Sequence, residues 1–181
     1  AKLWKAAGVV LPVFALRSEK SCGVGDFGDL RLFVDWAAAN DMRVIQLLPV
    51  NDTTMQHNWN DSYPYNTISV NALHPHYVNL DEAGRLANEG SMLDYNRRRS
   101  ELNNLPYTDY EAVAKVKTGY MRELYADIED KLRGDEEFIK FKKDNGDWLL
   151  PYATFCILRD KYHTARFTDW KEDAVYNRRK V

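Results

Sequence analysis

The sequence predicts an α/β fold, and three observations carry that prediction. Residues 8–16, GVVLPVFAL, form a nearly continuous apolar run with β-branched Val9, Val10 and Val13. Residues 43–50, RVIQLLPV, form a second such run. Between them Phe27, Leu30, Val34 and Ala37 recur every three or four positions, the spacing of one helical face. Apolar runs without polar alternation belong to parallel strands covered on both faces. Strand, helix and strand in this order make a βαβ unit with a right-handed crossover.

The helix is entered through SCGVGDFGDL, residues 21–30. Asp26 or Asp29 can accept the amides left unpaired at its start. Gly23, Gly25 and Gly28 also fit G-x-G-x-x-G, a spacing that can cradle a dinucleotide pyrophosphate, with Asp52 as the acidic residue at the end of the second strand. Two features weigh against that reading. Residues 17–22 separate the apolar run from the first glycine, and Asp26 puts a carboxylate where phosphate would rest. Glycines that merely shape a βα loop are the competing explanation. A dinucleotide-binding oxidoreductase is thus the alternative function.

Residues 51–66 have neither helical nor alternating period, and loops of that length are often functional. They present His57, Trp59, Tyr63 and Tyr65 among Asn51, Asp52, Asn58, Asn60, Asp61, Ser62 and Asn66. A sugar has an apolar C–H face that aromatic rings can cover and a rim of hydroxyls that amides and carboxylates can bond. Pro64 holds its neighbours rigid, which limits the entropy lost on binding. The competing reading is that the rings pack the loop down.

Residues 70–84 predict a short strand or a turn of helix, and the second half of the chain reads as helical. Thr108 and Glu111 fit a capping box. Tyr110, Val113, Met121, Leu124, Ile128 and Leu132 then lie close to one face, with Gly134 as terminator. Residues 135–146 read as a short helix and 147–163 as another, with Asp147 as its cap and Pro151 in its first turn. Tyr152, Phe155, Cys156 and Arg159 come next at helical spacing. No third strand of comparable quality comes after residue 80. Two parallel strands do not close a sheet, so either helices cover a small one or further strands lie beyond residue 181.

Apolar residues at 45% and charged residues at 29% place the chain among globular proteins. A net charge of −2 gives no reason to expect a nucleic-acid partner. The triplet Arg97-Arg98-Arg99 reads as solvated surface beside a loop. Cys22 and Cys156 read as unpaired thiols of a reduced, cytoplasmic protein. His74-Pro75-His76 lacks further ligands at metal spacing, so neither a metal nor a cofactor is expected. No stretch is long and apolar enough for a membrane span.

The segments AAGVVLPVFALRSEKSCGVGDFGDLRLFVDWA, QLLPVNDTT and DSYPYN together resemble the 4-α-glucanotransferases (the amylomaltase or disproportionating-enzyme family of the α-amylase-like clan). The Asp-Ser-Tyr-Pro-Tyr form resembles the branch of the plant cytosolic, maltose-using enzymes. The resemblance implies an incomplete (β/α)8 TIM barrel containing the first two strands, with a mostly helical insertion after them. It divides the chain into residues 1–85, a βαβ portion with a sugar-binding loop, and residues 86–181, the insertion. It implies transfer of α-1,4-glucan segments to sugar acceptors by a retaining mechanism. The family's acids lie on later strands, so no catalytic residue is expected in this chain, which alone should be inactive. Asn51, Asp61, Ser62, Tyr63 and Tyr65 are the expected substrate-binding residues. Tyr65 is the best placed to stack on sugar, Tyr63 falls at an inserted position, and Asp26 matches the helix entry. A non-catalytic carbohydrate-binding fragment is a further alternative. The implied partners are an α-glucan and the remainder of the polypeptide, with self-association through exposed barrel edges.

Overall fold

The computed structural model describes residues 4–177. The two apolar runs supply strands β1 (Gly8–Leu11) and β2 (Val44–Leu47), which pair in parallel with Gly8 opposite Val44 and Leu11 opposite Leu47. Helix α1 (Phe27–Ala39) makes the crossover between them. The strands are shorter than the runs. Pro12 has no amide for a ladder, and the chain bends there into a 3-10 turn, Val13–Ala15. The expected two-faced burial is not met among the described residues. Burial alternates along each strand, leaving Val10 63% and Val44 41% exposed while Val9, Leu11, Ile45 and Leu47 are half-buried.

The start of α1 uses both of the acids considered for it. Asp26 is the N-cap, and its carboxylate accepts from the amides of Gly28 and Asp29 at 2.8 and 3.3 Å. Asp29 reaches back to the Asp26 amide at 3.0 Å, closing a reciprocal capping box. The expected apolar face is only partly used. Ala37 is buried, Phe27 and Leu30 are half-buried, and Val34 is exposed.

The chain packs as two compact units that interleave in sequence. The first holds the residues through Val50 together with Leu73–Asp127; the second holds Asn51–Ala72 and the residues from Ile128 onward. These are packing units and do not address a division at residue 85 by descent.

In the first unit a 3-10 turn (Pro75–Tyr77) and helices α2 (Leu80–Ala83), α3 (Glu89–Asn103) and α4 (Tyr110–Arg133) come after β2. The arginine triplet lies on α3 rather than beside a loop, and ion pairs hold it. Arg97 meets Asp94 and Glu101, Arg98 meets Asp94, and Arg99 meets Asp81. Helix α4 is capped by Asp109, which accepts from the Ala112 amide at 3.0 Å, one residue later than the expected Thr108. Its buried face comprises Tyr110, Val113, Lys117, Tyr120 and Leu124. Periodicity misses Lys117 because it counts apolar residues only.

In the second unit α5 (Glu136–Asp144) and α6 (Gly146–Tyr162) pack together. Asp135 caps α5 through the Phe138 amide at 2.7 Å. Helix α6 starts at Gly146, directly after Asn145, so Asp147 lies in its first turn instead of capping it. Pro151 is therefore deeper in the helix than expected. Trp170, buried, packs against the rings of Phe155 and Tyr162 at 5.3 and 6.4 Å.

Candidate functional site

The glycine motif is the first place to look for a ligand, and its geometry leaves none room. The amides that would hold a phosphate at the start of α1 already serve the Asp26 carboxylate. Asn79 Nδ2 also donates to that carboxylate, at 3.2 Å. A Cβ on Gly25 would stand 2.1 Å from the Val13 carbonyl oxygen, and one on Gly28 would stand 2.1 Å from Asn79 Nδ2. Gly23 has φ +73°, a left-handed conformation that residues with a Cβ disfavour. The glycines let the βα loop close on its neighbours, so the dinucleotide reading is not supported.

Of the two histidines flanking Pro75, the His74 ring is likewise occupied. His74 Nδ1 accepts from the His76 amide at 3.1 Å, and its Nε2 lies 2.9 Å from the Tyr110 hydroxyl. An acceptor at Nδ1 puts the ring proton on Nε2. Among the described residues no group of three or more His, Cys, Asp or Glu could hold a metal ion. None of the described helices is long and apolar enough to cross a membrane.

The polar, ring-rich loop is different in kind. Two buried carboxylates organise it from within. Asp52 is the first. Its Oδ1 accepts from the amide and hydroxyl of Thr54 at 2.9 and 2.6 Å, and its backbone bonds Ala72 and Ile68. Its Oδ2 accepts from the Tyr152 hydroxyl of α6 at 2.6 Å. Burial, then this bond to a carboxylate, pushes the Tyr152 phenol well above its ordinary value.

Asp61 is the second. It lies in the 3-10 turn Trp59–Ser62 and is 4% exposed. Its Oδ2 accepts from the amides of Gln56 and His57 at 2.9 and 2.7 Å. Asn58 caps the same turn through the Asn60 amide. Asn51 Nδ2 donates to the Val70 carbonyl at 2.9 Å. Ser62 is half-buried at the end of the turn.

Helix α6 holds the loop at further points. Arg159, buried, donates from Nη1 to the Thr54 carbonyl at 2.6 Å and from Nε to Asp160 Oδ1 at 2.8 Å. His57 Nε2 lies 2.8 Å from the same carboxylate oxygen. Burial works against the charge on Asp160, but the Arg159 and His57 contacts outweigh it and hold the carboxyl below its usual range. An ionised carboxylate only accepts, so the proton sits on His57 Nε2. Sequence reasoning places Tyr152 and Arg159 on a helix but misses this role. The usable signal is a set of polar residues recurring at helical spacing within an otherwise apolar segment.

With the polar groups turned onto the loop's own frame, the rings project outward. Trp59, Tyr63 and Tyr65 are 60%, 60% and 58% exposed. The rings of Tyr63 and Tyr65 stand 5.5 Å apart and are tilted by 52°. Of the expected sugar-binding residues, Tyr63 and Tyr65 thus face outward together, while the Asp61 carboxylate faces the loop's own amides.

Comparison with known proteins identifies the family. Residues 11–181 match the sequence profile of a family described as 4-alpha-glucanotransferase. The rice protein named 4-alpha-glucanotransferase DPE2 is 38% identical over 178 residues, which is 98% of this chain and 19% of that protein. A 4-alpha-glucanotransferase of Chlamydia pneumoniae is 32% identical over 90% of this chain and 30% of its own length. One from Chlamydia caviae is 34% identical over 88% of this chain and 30% of its own. The chain therefore spans less than a third of each of these relatives. It is a member of the 4-alpha-glucanotransferase family.

Proposed function

We propose that the whole protein transfers α-1,4-glucan segments to glucose or oligosaccharide acceptors with retention of configuration, and that this chain supplies the sugar-gripping lip of its barrel. Loops at the C-terminal ends of barrel strands line the mouth where such enzymes bind substrate. The loop of residues 51–66 follows β2 in the chain, the place in sequence of a barrel's βα loop. The observation that carries the reading is the outward-facing Tyr63–Tyr65 pair, with ring centroids 5.5 Å apart. Tyr65 would stack on the C–H face of a glucose unit, with Tyr63 beside it. Asn51 and Ser62 would bond sugar hydroxyls, and Asp61 would act chiefly by shaping the loop.

Under this reading residues 1–85 contribute to the barrel and 86–181 are an insertion. The nucleophilic carboxylate and the acid that protonates the leaving oxygen come from elsewhere in the protein. Transfer, as against hydrolysis, needs sugar to displace water at the glycosyl intermediate, and exposed rings favour that by binding sugar and shedding solvent. Starch-derived maltose fits as donor. The two unpaired thiols, Cys22 and Cys156, favour the cytoplasm. The exposed strand face around Val10 and Val44 is where self-association of the isolated chain would occur.

The test is redistribution of maltotriose into longer and shorter oligosaccharides. The whole protein does this, and Tyr65→Ala loses at least about tenfold in transfer, the scale of a lost stacking contact. The 181-residue chain alone gives no redistribution. Turnover by the chain alone, or full activity of Tyr65→Ala, refutes the assignment.

A further inference from the structure

The aromatic loop has little regular structure of its own, so its shape comes from side chains that grip its backbone. The internal grip is Asp61, on the amides of Gln56 and His57. The external grip is one face of α6, where Tyr152, Arg159 and Asp160 recur at helical spacing. Their contacts fall on Asp52, Thr54 and His57, all on the segment that leads into the Trp59–Ser62 turn.

The most constrained point is His57. Its backbone is left-handed, with φ +57°, a conformation that a residue with a Cβ disfavours. Something must hold it there. Its amide is held by Asp61 and its ring by Asp160. Asp160 is in turn fixed by Arg159, whose Nε and Nη2 both reach Asp160 Oδ1 at 2.8 Å. That oxygen therefore receives Arg159 and His57 together, while the remaining arm of Arg159 lies on the Thr54 carbonyl. The residue immediately after the Asn58 cap is Trp59, and the tyrosine pair comes just after the turn.

We propose that the chain Arg159–Asp160–His57 is a positioning device for the aromatic loop, setting how firmly a glucan is held without touching it. This rests on the glucan-transfer reading above. Loss of the device lets the His57 turn relax out of its left-handed form, and the rings then no longer present a single surface. Because these residues act through the loop and touch no sugar, their loss should appear first in KM for the glucan.

Two variants test this at exposed side chains, so the fold is kept. Asp160→Asn weakens the carboxylate that joins Arg159 to His57. His57→Asn removes the ring while tolerating the left-handed backbone. Asp160→Glu is the conservative rescue. In the 181-residue chain, amide hydrogen exchange at Gln56 and His57 should quicken about tenfold or more in the first two variants, the mark of a loosened local opening. In the whole protein, with maltotriose as both donor and acceptor, KM for maltotriose should rise about tenfold while kcat stays within about twofold. Asp160→Glu should recover part of both effects. Unchanged exchange in Asp160→Asn and His57→Asn overturns the positioning role itself. Faster exchange with unchanged KM for maltotriose overturns the sugar-gripping reading of the loop. A fall in kcat with KM unchanged overturns the assignment of the device to glucan binding.

Discussion

Lys117 Nζ stands 3.5 Å from Asp26 Oδ2, with both side chains almost completely buried. The same ammonium donates to the carbonyls of His76 and Val78 at 2.6 and 2.8 Å. A single cation from α4 thus fastens the capped start of α1 to the turn after β2. A buried charge is costly unless it is both paired and hydrogen-bonded, and here it is both. Burial is also the main force pulling the Lys117 amine below its ordinary value, against the upward pull of Asp26.

Lys117→Met keeps the length of the side chain and removes the charge. It leaves Asp26 and two carbonyls without their common donor. Unfolding by urea should show a loss of about 3–5 kcal/mol, the range for breaking one partner of a buried pair. Adding Asp26→Asn to it should cost less than the sum of the two single changes. Additive losses would mean that Lys117 and Asp26 do not act as a pair.

His76 gives the molecule an acid-sensitive joint. Burial first, and then the neighbouring His74 and Lys117, drives its imidazole from 6.5 down to about 2. Below pH 6.5 the unfolded chain takes up a proton that the folded chain refuses. Stability from this site is therefore complete above pH 6.5 and is lost as pH falls toward 2. The slope for one withheld proton is about 1.4 kcal/mol per pH unit, so roughly 2 kcal/mol goes between pH 6.5 and 5. His76→Phe keeps a ring beside Tyr110, whose centroid is 4.5 Å away, and removes the titration. Urea midpoints measured from pH 7.5 to 5 should fall for the wild type and stay flatter for His76→Phe. Parallel curves for the two proteins would show that His76 is not the group that titrates.

How much of this is legible in the sequence differs from element to element. The β1–α1–β2 unit is readable because parallel strands and an amphipathic helix leave opposite apolar signatures, and Asp26 and Asp29 mark the helix start. The ends of the strands are not, because Pro12 cuts a run that is apolar on both sides of it. Helix α3 is invisible to periodicity. It is polar along most of its length and buries only Met92, Tyr95 and Leu102. Arg97 and Arg98 are met by carboxylates one turn away, a pattern that in sequence resembles any solvated stretch, while the partner of Arg99, Asp81, lies on α2. In the loop, composition leaves open whether the tyrosines face outward or pack the loop down, and their exposure decides it. The inward turn of Asp61 cannot be inferred either, since a carboxylate that bonds sugar and one that bonds backbone amides look alike until coordinates separate them. The hold of α6 on His57 is a contact between distant parts of the chain, and no local pattern encodes it.

Two glycines separate close approach from mere flexibility, and the distinction bears on what the glycine motif is for. A Cβ at Gly25 would meet the carbonyl oxygens of Val13 and Leu16 at 2.1 and 2.6 Å, and both are backbone atoms that cannot swing aside. Gly119, on α4, would meet nothing within 4 Å. Gly25→Ala must push the βα loop away from the 3-10 turn at Val13–Ala15 and should cost about 3 kcal/mol, at the upper end of ordinary overpacking. Gly119→Ala should stabilise by about 0.5–1 kcal/mol, because alanine loses less backbone freedom in a helix. Thermal unfolding of the two variants should move in opposite directions from the wild type. If Gly25→Ala folds with unchanged stability, close packing is not why glycine stands there, and the loop's role as a tight βα connection must be reconsidered.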